Sequence, residues 1–250
     1  MDHVYDFYKA DLTSEYPIVD GHYSIMCYTQ ALDKCYQLYN AKYAKQQKSL
    51  VNGLVNGHIN GHKEEPTGIH RFVSIAFHTP TCKVVQKSYA RLLYNDYLVD
   101  PESDPAFKSL PESIASIDYN ASLTDKTIEK TFMRLTDKAY KEKIYPGTLC
   151  ARNVGNMYTA SVYSSLASII TEFPADKLLG QRIGVFSYGS GLAASFFSIK
   201  VVGDVAPMAD AMKIEESLQS RIGVSPEQYE QVIALINRFR LTFLLDAEAS

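Results

Sequence analysis

The sequence predicts an α/β domain in which helices cover a mixed sheet, and three observations carry that prediction. Arg71 to Phe77 is a short β-branched and aromatic run that reads as a buried strand. Arg182 to Ser187 and Leu192 to Val202 read as two further strands, joined as an antiparallel pair by the glycine turn Tyr188-Gly189-Ser190-Gly191. Around them lie stretches with apolar residues at i, i+3 and i+4, the spacing of helices that bury one stripe. The order helix, strand, helix, helix, strand, helix, strand, strand belongs to a layered α/β sheet.

In chain order, residues 23 to 48 place Ile25, Tyr28, Leu32, Cys35, Tyr36 and Tyr39 on one face, a core-facing helix after the turn at Asp20-Gly21. Residues 49 to 70 read as an Asn-Gly-rich flexible loop, because Asn-Gly recurs every fourth residue from Asn52 and favours dihedrals that helices and strands reject. The first strand then ends at His78. Cys82 to Tyr97 is helical through Val85, Leu92, Leu93 and Tyr97, with Pro80 tolerated near its start. Residues 100 to 125, with Pro101, Pro105 and Pro111, read as an excursion with little regular structure, and residues 125 to 142 as an amphipathic helix. Thr148 to Ala151 reads as a strand leading into Asn153 to Tyr158, and Thr159 to Phe173 as a Ser- and Ala-rich helix. Residues 209 to 245 read as one or two surface helices, the later one begun by Pro226. A single domain over 1–250 with a helical tail from 209 to 250 is expected.

Composition narrows the function classes. At 250 residues, 46% hydrophobic and 21% charged, the chain is large enough to bury a core without disulfides or a structural metal. A net charge of −3, from 25 basic and 28 acidic residues, argues against nucleic acid as a partner. No run approaches the roughly 18 apolar residues of a membrane span. The opening Met1-Asp2-His3-Val4-Tyr5-Asp6 has no signal-peptide character and the final residues are not Ser-Lys-Leu, so a cytoplasmic location is expected. Cys27, Cys35, Cys82 and Cys150 lack CxxC spacing, which points to a reducing compartment. His58, His62 and His70 have no carboxylate or cysteine at ligand spacing, so they read as solvated histidines and no metal is expected.

A few residues have the chemistry and placement of a site. His78 stands at the carboxyl end of a strand, where open α/β sheets form ligand crevices, and can exchange protons near neutral pH; a hydrogen-bonded, partly buried histidine fits the local pattern equally well. Lys83 and Lys87, four apart on the next helix, can share an anion or simply face solvent. Asn156 and Tyr158 offer an amide and a phenol after a glycine. Ser190 sits in Tyr188-Gly189-Ser190-Gly191, which lacks the full G-x-S-x-G elbow and is explained by a hairpin. Cys82 lies near a helix N-terminus four residues after His78, yet reads first as a packed thiol.

Longer stretches carry a resemblance. Phe77 to Ser88 (FHTPTCKVVQKS), Gly155 to Thr159 (GNMYT), Phe186 to Ala194 (FSYGSGLAA), Tyr5 to Lys9 and Ser14 to Gly21 resemble the eukaryotic hydroxymethylglutaryl-CoA synthase family in its later part. The resemblance runs from residue 2 to about residue 228; the Asn-Gly loop and the tail after Gln228 depart from it. It implies a thiolase-like fold of two similar halves, of which this chain is similar to the C-terminal one. It implies an acyltransferase acting on acetoacetyl-CoA-like thioesters, with CoA or an acyl carrier as the thiol and no further cofactor. By this resemblance His78 polarises the acetoacetyl carbonyl, Lys83 and Lys87 contact CoA, Asn156, Tyr158 and Ser190 line the acyl pocket, and Asp6 is an active-site aspartate. The family's nucleophilic cysteine and its glutamate belong to the unmatched N-terminal part, so a homodimer or a partner supplying that half is expected. Synthase-like proteins of fungal toxin and other specialised metabolism are similar to this chain. A binder without catalysis and one half of a split enzyme are the alternatives.

Overall fold

Three strands and the helices on either side of them build the architecture in a computed structural model that describes residues 4, 7–8, 18–53, 67–114, 116–189 and 191–248. Strands β1 (Phe7–Tyr8) and β2 (Ile18–Val19) form a short antiparallel ladder ahead of the long helix α1 (Gly21–Gly53). Asp20 begins α1 by accepting the Tyr23 N–H at 3.0 Å through Oδ1. A 3₁₀ turn at Gly68–Arg71 leads into β3 (Ser74–Phe77), and the Thr81 hydroxyl caps the helix α2 (Cys82–Val99). After two 3₁₀ turns and the short α3 (Tyr119–Ser122) comes α4 (Lys126–Ala139), extended by a π-helical turn at Tyr140–Ile144. Then follow α5 (Leu149–Val154), α6 (Ser161–Glu172), α7 (Ala175–Leu178), β4 (Arg182–Gly189) and β5 (Ala193–Lys200). The chain continues as α8 (Ala206–Met212), α9 (Ile214–Gln219) and α10 (Pro226–Glu248).

The sheet order is β3-β4-β5, with β3 parallel to β4 and β5 antiparallel to it, so the sheet is mixed as expected. Side-chain alternation sorts the strands between two cores. Ile75, Phe77, Phe186 and Tyr188 join Tyr28, Leu32, Tyr36, Tyr89 and Leu92 of α1 and α2 in one core. Ala76, Ile183 and Val185 join Val162 and Ile169 of α6 in the other. Because β3 is buried on both faces, it reads in the sequence as a mostly apolar run, with Ser74 the one polar side chain in it.

Two expectations are corrected. Thr148 to Ala151 is not a strand: Pro146–Thr148 is a 3₁₀ turn and Leu149 begins α5. The Cys150 N–H donates to Ser168 Oγ at 3.1 Å, and a Cβ on Gly147 would come 3.0 Å from Ile169, so packing against α6 fixes this segment as helix. The loop expected over 49 to 70 is helical through Gly53 and forms a 3₁₀ turn from Gly68; residues 54–66, with His58 and His62, lie outside the described residues.

Buried polar groups tie α1 to α2. Asp33 and Arg91 form an ion pair at 2.7 Å that is almost fully enclosed. Nearby, the Asp96 carboxyl accepts the Tyr36 hydroxyl and the Ile69 N–H, both at 2.8 Å. Burial pushes the Asp96 pKa up to about 6, despite those bonds and the nearby His70 and Arg71. Between the usual carboxylate value near 4 and this value, the folded protein keeps a proton that the unfolded chain has released. Stability from this group is therefore full below about pH 4 and lost as pH rises through about 6. Asp96→Asn can keep both bonds with the Tyr36 hydroxyl reversed. Urea unfolding at pH 4 and pH 7 should show the variant gaining on the wild type by on the order of 2–3 kcal/mol between the two.

Candidate active site

The site forms where β3 ends. The His78 N–H donates to Phe186 O at 2.8 Å, carrying the β3–β4 ladder one residue past the strand, and the His78 carbonyl accepts the Tyr28 hydroxyl at 2.7 Å. Thr79 follows, its N–H donating to Ser161 Oγ at 2.8 Å and its hydroxyl to Phe77 O at 2.9 Å. These bonds fix the backbone on both sides of His78 to α1, β4 and the start of α6.

The half-buried imidazole lies between two phenols, with its ring centroid 6.4 Å from that of Tyr28 and 6.2 Å from that of Tyr188. Burial pushes its pKa below the ordinary histidine value, so the ring is neutral at neutral pH. Among the described residues neither ring nitrogen has a hydrogen-bond partner, which leaves one N–H donor and one acceptor for a ligand. Burial raises the Tyr28 phenol well above its usual value and keeps it a donor.

His78 opens onto a cavity of about 500 Å³, within the size range of small-molecule sites. Tyr28, Val84, Asn156, Tyr158, Tyr188 and Gly189 are among the residues that line it. Asn156 and Tyr158 arrive on a tight turn. Gly155 has φ +87°, which glycine adopts without strain, and Tyr158 itself has φ 50°. The Asn156 Oδ1 accepts the Tyr158 N–H at 2.8 Å, so its carbonyl oxygen is engaged by the turn and its amide N–H₂ is left to donate.

The structure thus brings together His78, Asn156 and Tyr158 of the sequence-predicted residues. Asp6 and Ser190 lie outside the described residues, although Gly189, beside Ser190, lines the cavity. The lysines stand apart from it. Lys83 is exposed and its ammonium donates to Gln86 Oε1 at 2.9 Å. Lys87 pairs with Glu129 of α4 at 3.0 Å and lines a smaller cleft that shares Ile25 and Val84 with the cavity, so the two adjoin. Burial raises the Glu129 carboxyl, but hydrogen bonds and charge from Lys87 and Lys126 outweigh it and hold its pKa below the usual value. Cys82 is half-buried and does not line the cavity. Among the described residues, the cavity lining holds no cysteine and no carboxylate.

Sequence reasoning missed Tyr28 and Tyr188 as site residues. Both sit on core-facing stripes, and nothing local separates a tyrosine that packs from one that also walls a cavity.

Comparison with known proteins gives consistent matches. The family described as "Hydroxymethylglutaryl-coenzyme A synthase C terminal" matches residues 1–246. The hydroxymethylglutaryl-CoA synthase of Gibberella zeae is 52% identical over 235 residues, 94% of this chain and 50% of the relative. That of Aspergillus fumigatus named erg13B is 48% identical over 93% of this chain and 50% of the relative. Among solved structures, MvaS in complex with 3-hydroxy-3-methylglutaryl coenzyme A superposes with TM-score 0.63 at 31% identity, over 93% of this chain and 48% of that one. The HMG synthase of the curacin pathway in complex with holo donor-ACP shares the fold, with TM-score 0.60 at 21% identity. This chain spans about half the length of the curated relatives it matches.

Proposed function

The chain belongs to the hydroxymethylglutaryl-CoA synthase family, matching its C-terminal domain, and we propose that it provides the acceptor side of carbon–carbon bond formation on an acyl thioester. The observation that carries this reading is His78, neutral, unpartnered at both ring nitrogens and facing a cavity with the Asn156 amide. A 3-oxoacyl thioester resembling acetoacetyl-CoA fits these donors. The His78 N–H and the Asn156 N–H₂ hydrogen-bond its keto oxygen; as a carbon nucleophile attacks the keto carbon, the C=O π pair moves to oxygen and takes the proton from His78. The products are a new C–C bond, a tertiary hydroxyl and a deprotonated ring that is reprotonated from solvent.

The nucleophile comes from elsewhere. With no thiol and no carboxylate among them, the described residues of the cavity supply neither the acyl-bearing thiol nor the base that forms the carbanion. This same observation favours a second reading, a thioester binder that turns over only with a partner, homodimeric or heteromeric, that supplies them. Lys83 and, once released from Glu129, Lys87 would hold the CoA phosphates. The thioester is substrate, with no other cofactor in the proposal, and the setting is cytoplasmic. Placement in specialised metabolism rests on sequence resemblance alone.

Calorimetric titration of the whole chain with acetoacetyl-CoA tests the reading. Binding at micromolar strength is expected, weakened about fivefold or more by Asn156→Ala, the worth of one hydrogen bond to a ligand, and about tenfold by Lys83→Ala with Lys87→Ala. A cooperatively folded chain that does not bind the thioester would sink the proposal.

A further inference from the structure

At the sheet end opposite His78, four cations converge on one groove. Arg71 ends the 3₁₀ turn before β3, Lys143 sits in the π-helical turn, Arg182 opens β4 and Lys200 closes β5. With His70 they surround a groove of about 310 Å³ whose lining includes no acidic residue. Among the described residues, Arg71, Lys143, Arg182 and Lys200 make no ion pair.

The placement is built rather than incidental. Arg182 and Lys200 stand directly opposite in the β4–β5 register, where like charges destabilise a ladder. Neutral groups orient the arginines: Arg71 donates to Asn40 Oδ1 at 2.9 Å and Arg182 to Ser198 Oγ at 3.1 Å. Both guanidiniums lie over the Tyr43 ring, at 3.9 and 5.6 Å from its centroid. The Arg71 Nε is buried and has no hydrogen-bond partner. The Lys143 backbone is held by Ser74, whose hydroxyl donates to its carbonyl at 2.6 Å. Of the carboxylates on that side, Asp104 pairs with His70 at 3.0 Å, and Asp96, which feels the charge of Arg71, accepts from Tyr36 and Ile69. In a chain of net charge −3, this is a cationic site held on rigid elements.

We propose that this groove binds an oligophosphate, free or as the phosphate chain of a nucleotide. Guanidinium forks and ammonium groups match phosphate oxygens, and an anion with several charges is what relieves the Arg182–Lys200 repulsion. The groove's side chains offer charge and no base-reading pocket, so the phosphate chain is the part recognised.

The experiment is titration of the whole chain with sodium triphosphate and, separately, ATP at constant ionic strength, read by calorimetry and thermal unfolding. Triphosphate is expected to bind at least tenfold tighter than orthophosphate and to raise the unfolding midpoint. Lys143→Gln with Lys200→Gln should weaken it at least tenfold, whereas Lys138→Gln with Lys141→Gln, nearby lysines already paired with Glu142 and Asp137, should not. Lys200→Thr should raise the midpoint of the unliganded chain while losing the shift caused by triphosphate. Circular dichroism establishes that each variant is folded. ATP within tenfold of triphosphate supports recognition of the chain alone; ATP more than tenfold tighter overturns it. No preference for triphosphate, or equal losses in the two double variants, overturns the site itself.

Discussion

Asp33→Ala should lower the free energy of unfolding by about 3–5 kcal/mol, the range for removing one partner of a buried ion pair. Asp33 is fully enclosed and Arg91 nearly so. Arg91 Nε reaches both Asp33 oxygens at 3.0 Å and Nη2 reaches Oδ2 at 2.7 Å, a bidentate grip. Asn95 Nδ2 donates to Oδ1 at 2.7 Å and the Tyr119 hydroxyl to Oδ2 at 3.2 Å, so the carboxylate is saturated. Arg91 also donates through Nη1 to the Ser122 carbonyl and through Nη2 to the Ser122 hydroxyl, each at 3.0 Å. Removing the carboxylate strands a largely buried guanidinium without its counter-charge. Removing both charges, as in Asp33→Leu with Arg91→Met, strands nothing ionic and should cost less than the two single changes added together. Denaturant unfolding of the wild type, Asp33→Ala, Asp33→Leu, Arg91→Met and the double variant decides it; a loss under 1 kcal/mol for Asp33→Ala would mean that water reaches the pair.

His78→Ala should remove turnover by a factor of about 10²–10⁴ in any assay where a thiol-bearing partner supplies the acyl group, while binding of acetoacetyl-CoA falls far less. The neutral ring is the working form, and burial lowers its pKa, so the rate should stay flat down through the ordinary histidine value and fall only on the acid side of it. The same depression makes this group's contribution to stability full above about pH 6.5 and lost as pH falls through the folded value. His78→Gln, which can donate but cannot exchange a proton, should rescue binding and leave the rate low. Equal rates for wild type and His78→Ala would remove the histidine from the chemistry.

Much of this was legible one segment at a time. The two-sided burial of β3 shows as an apolar run, and His78 at its end could be singled out before any partner was known. Asn156 and Tyr158 follow a glycine whose positive φ the turn requires. What stayed hidden depends on distant residues. Thr148 to Ala151 has strand-like composition, but α6 packs it as helix. Lys87 looks free on its helix until Glu129, on another helix, is placed beside it. The Asp33–Arg91 pair joins positions 58 residues apart on two helices, a contact that no local pattern displays.

The parallel pairing of β3 with β4 also sets an order of events. Ser74 aligns with Ile183 and Phe77 with Phe186, partners more than a hundred residues apart in the chain. Closing so long a loop costs entropy before any contact repays it, and non-local pairing of this kind slows folding. During synthesis His78 leaves the ribosome well before Phe186, the residue that anchors its backbone, has been made. Until β4 arrives neither edge of β3 is paired, so the nascent chain exposes an aggregation-prone strand while the cavity is still unformed, and a chain released early keeps its histidine but has no site.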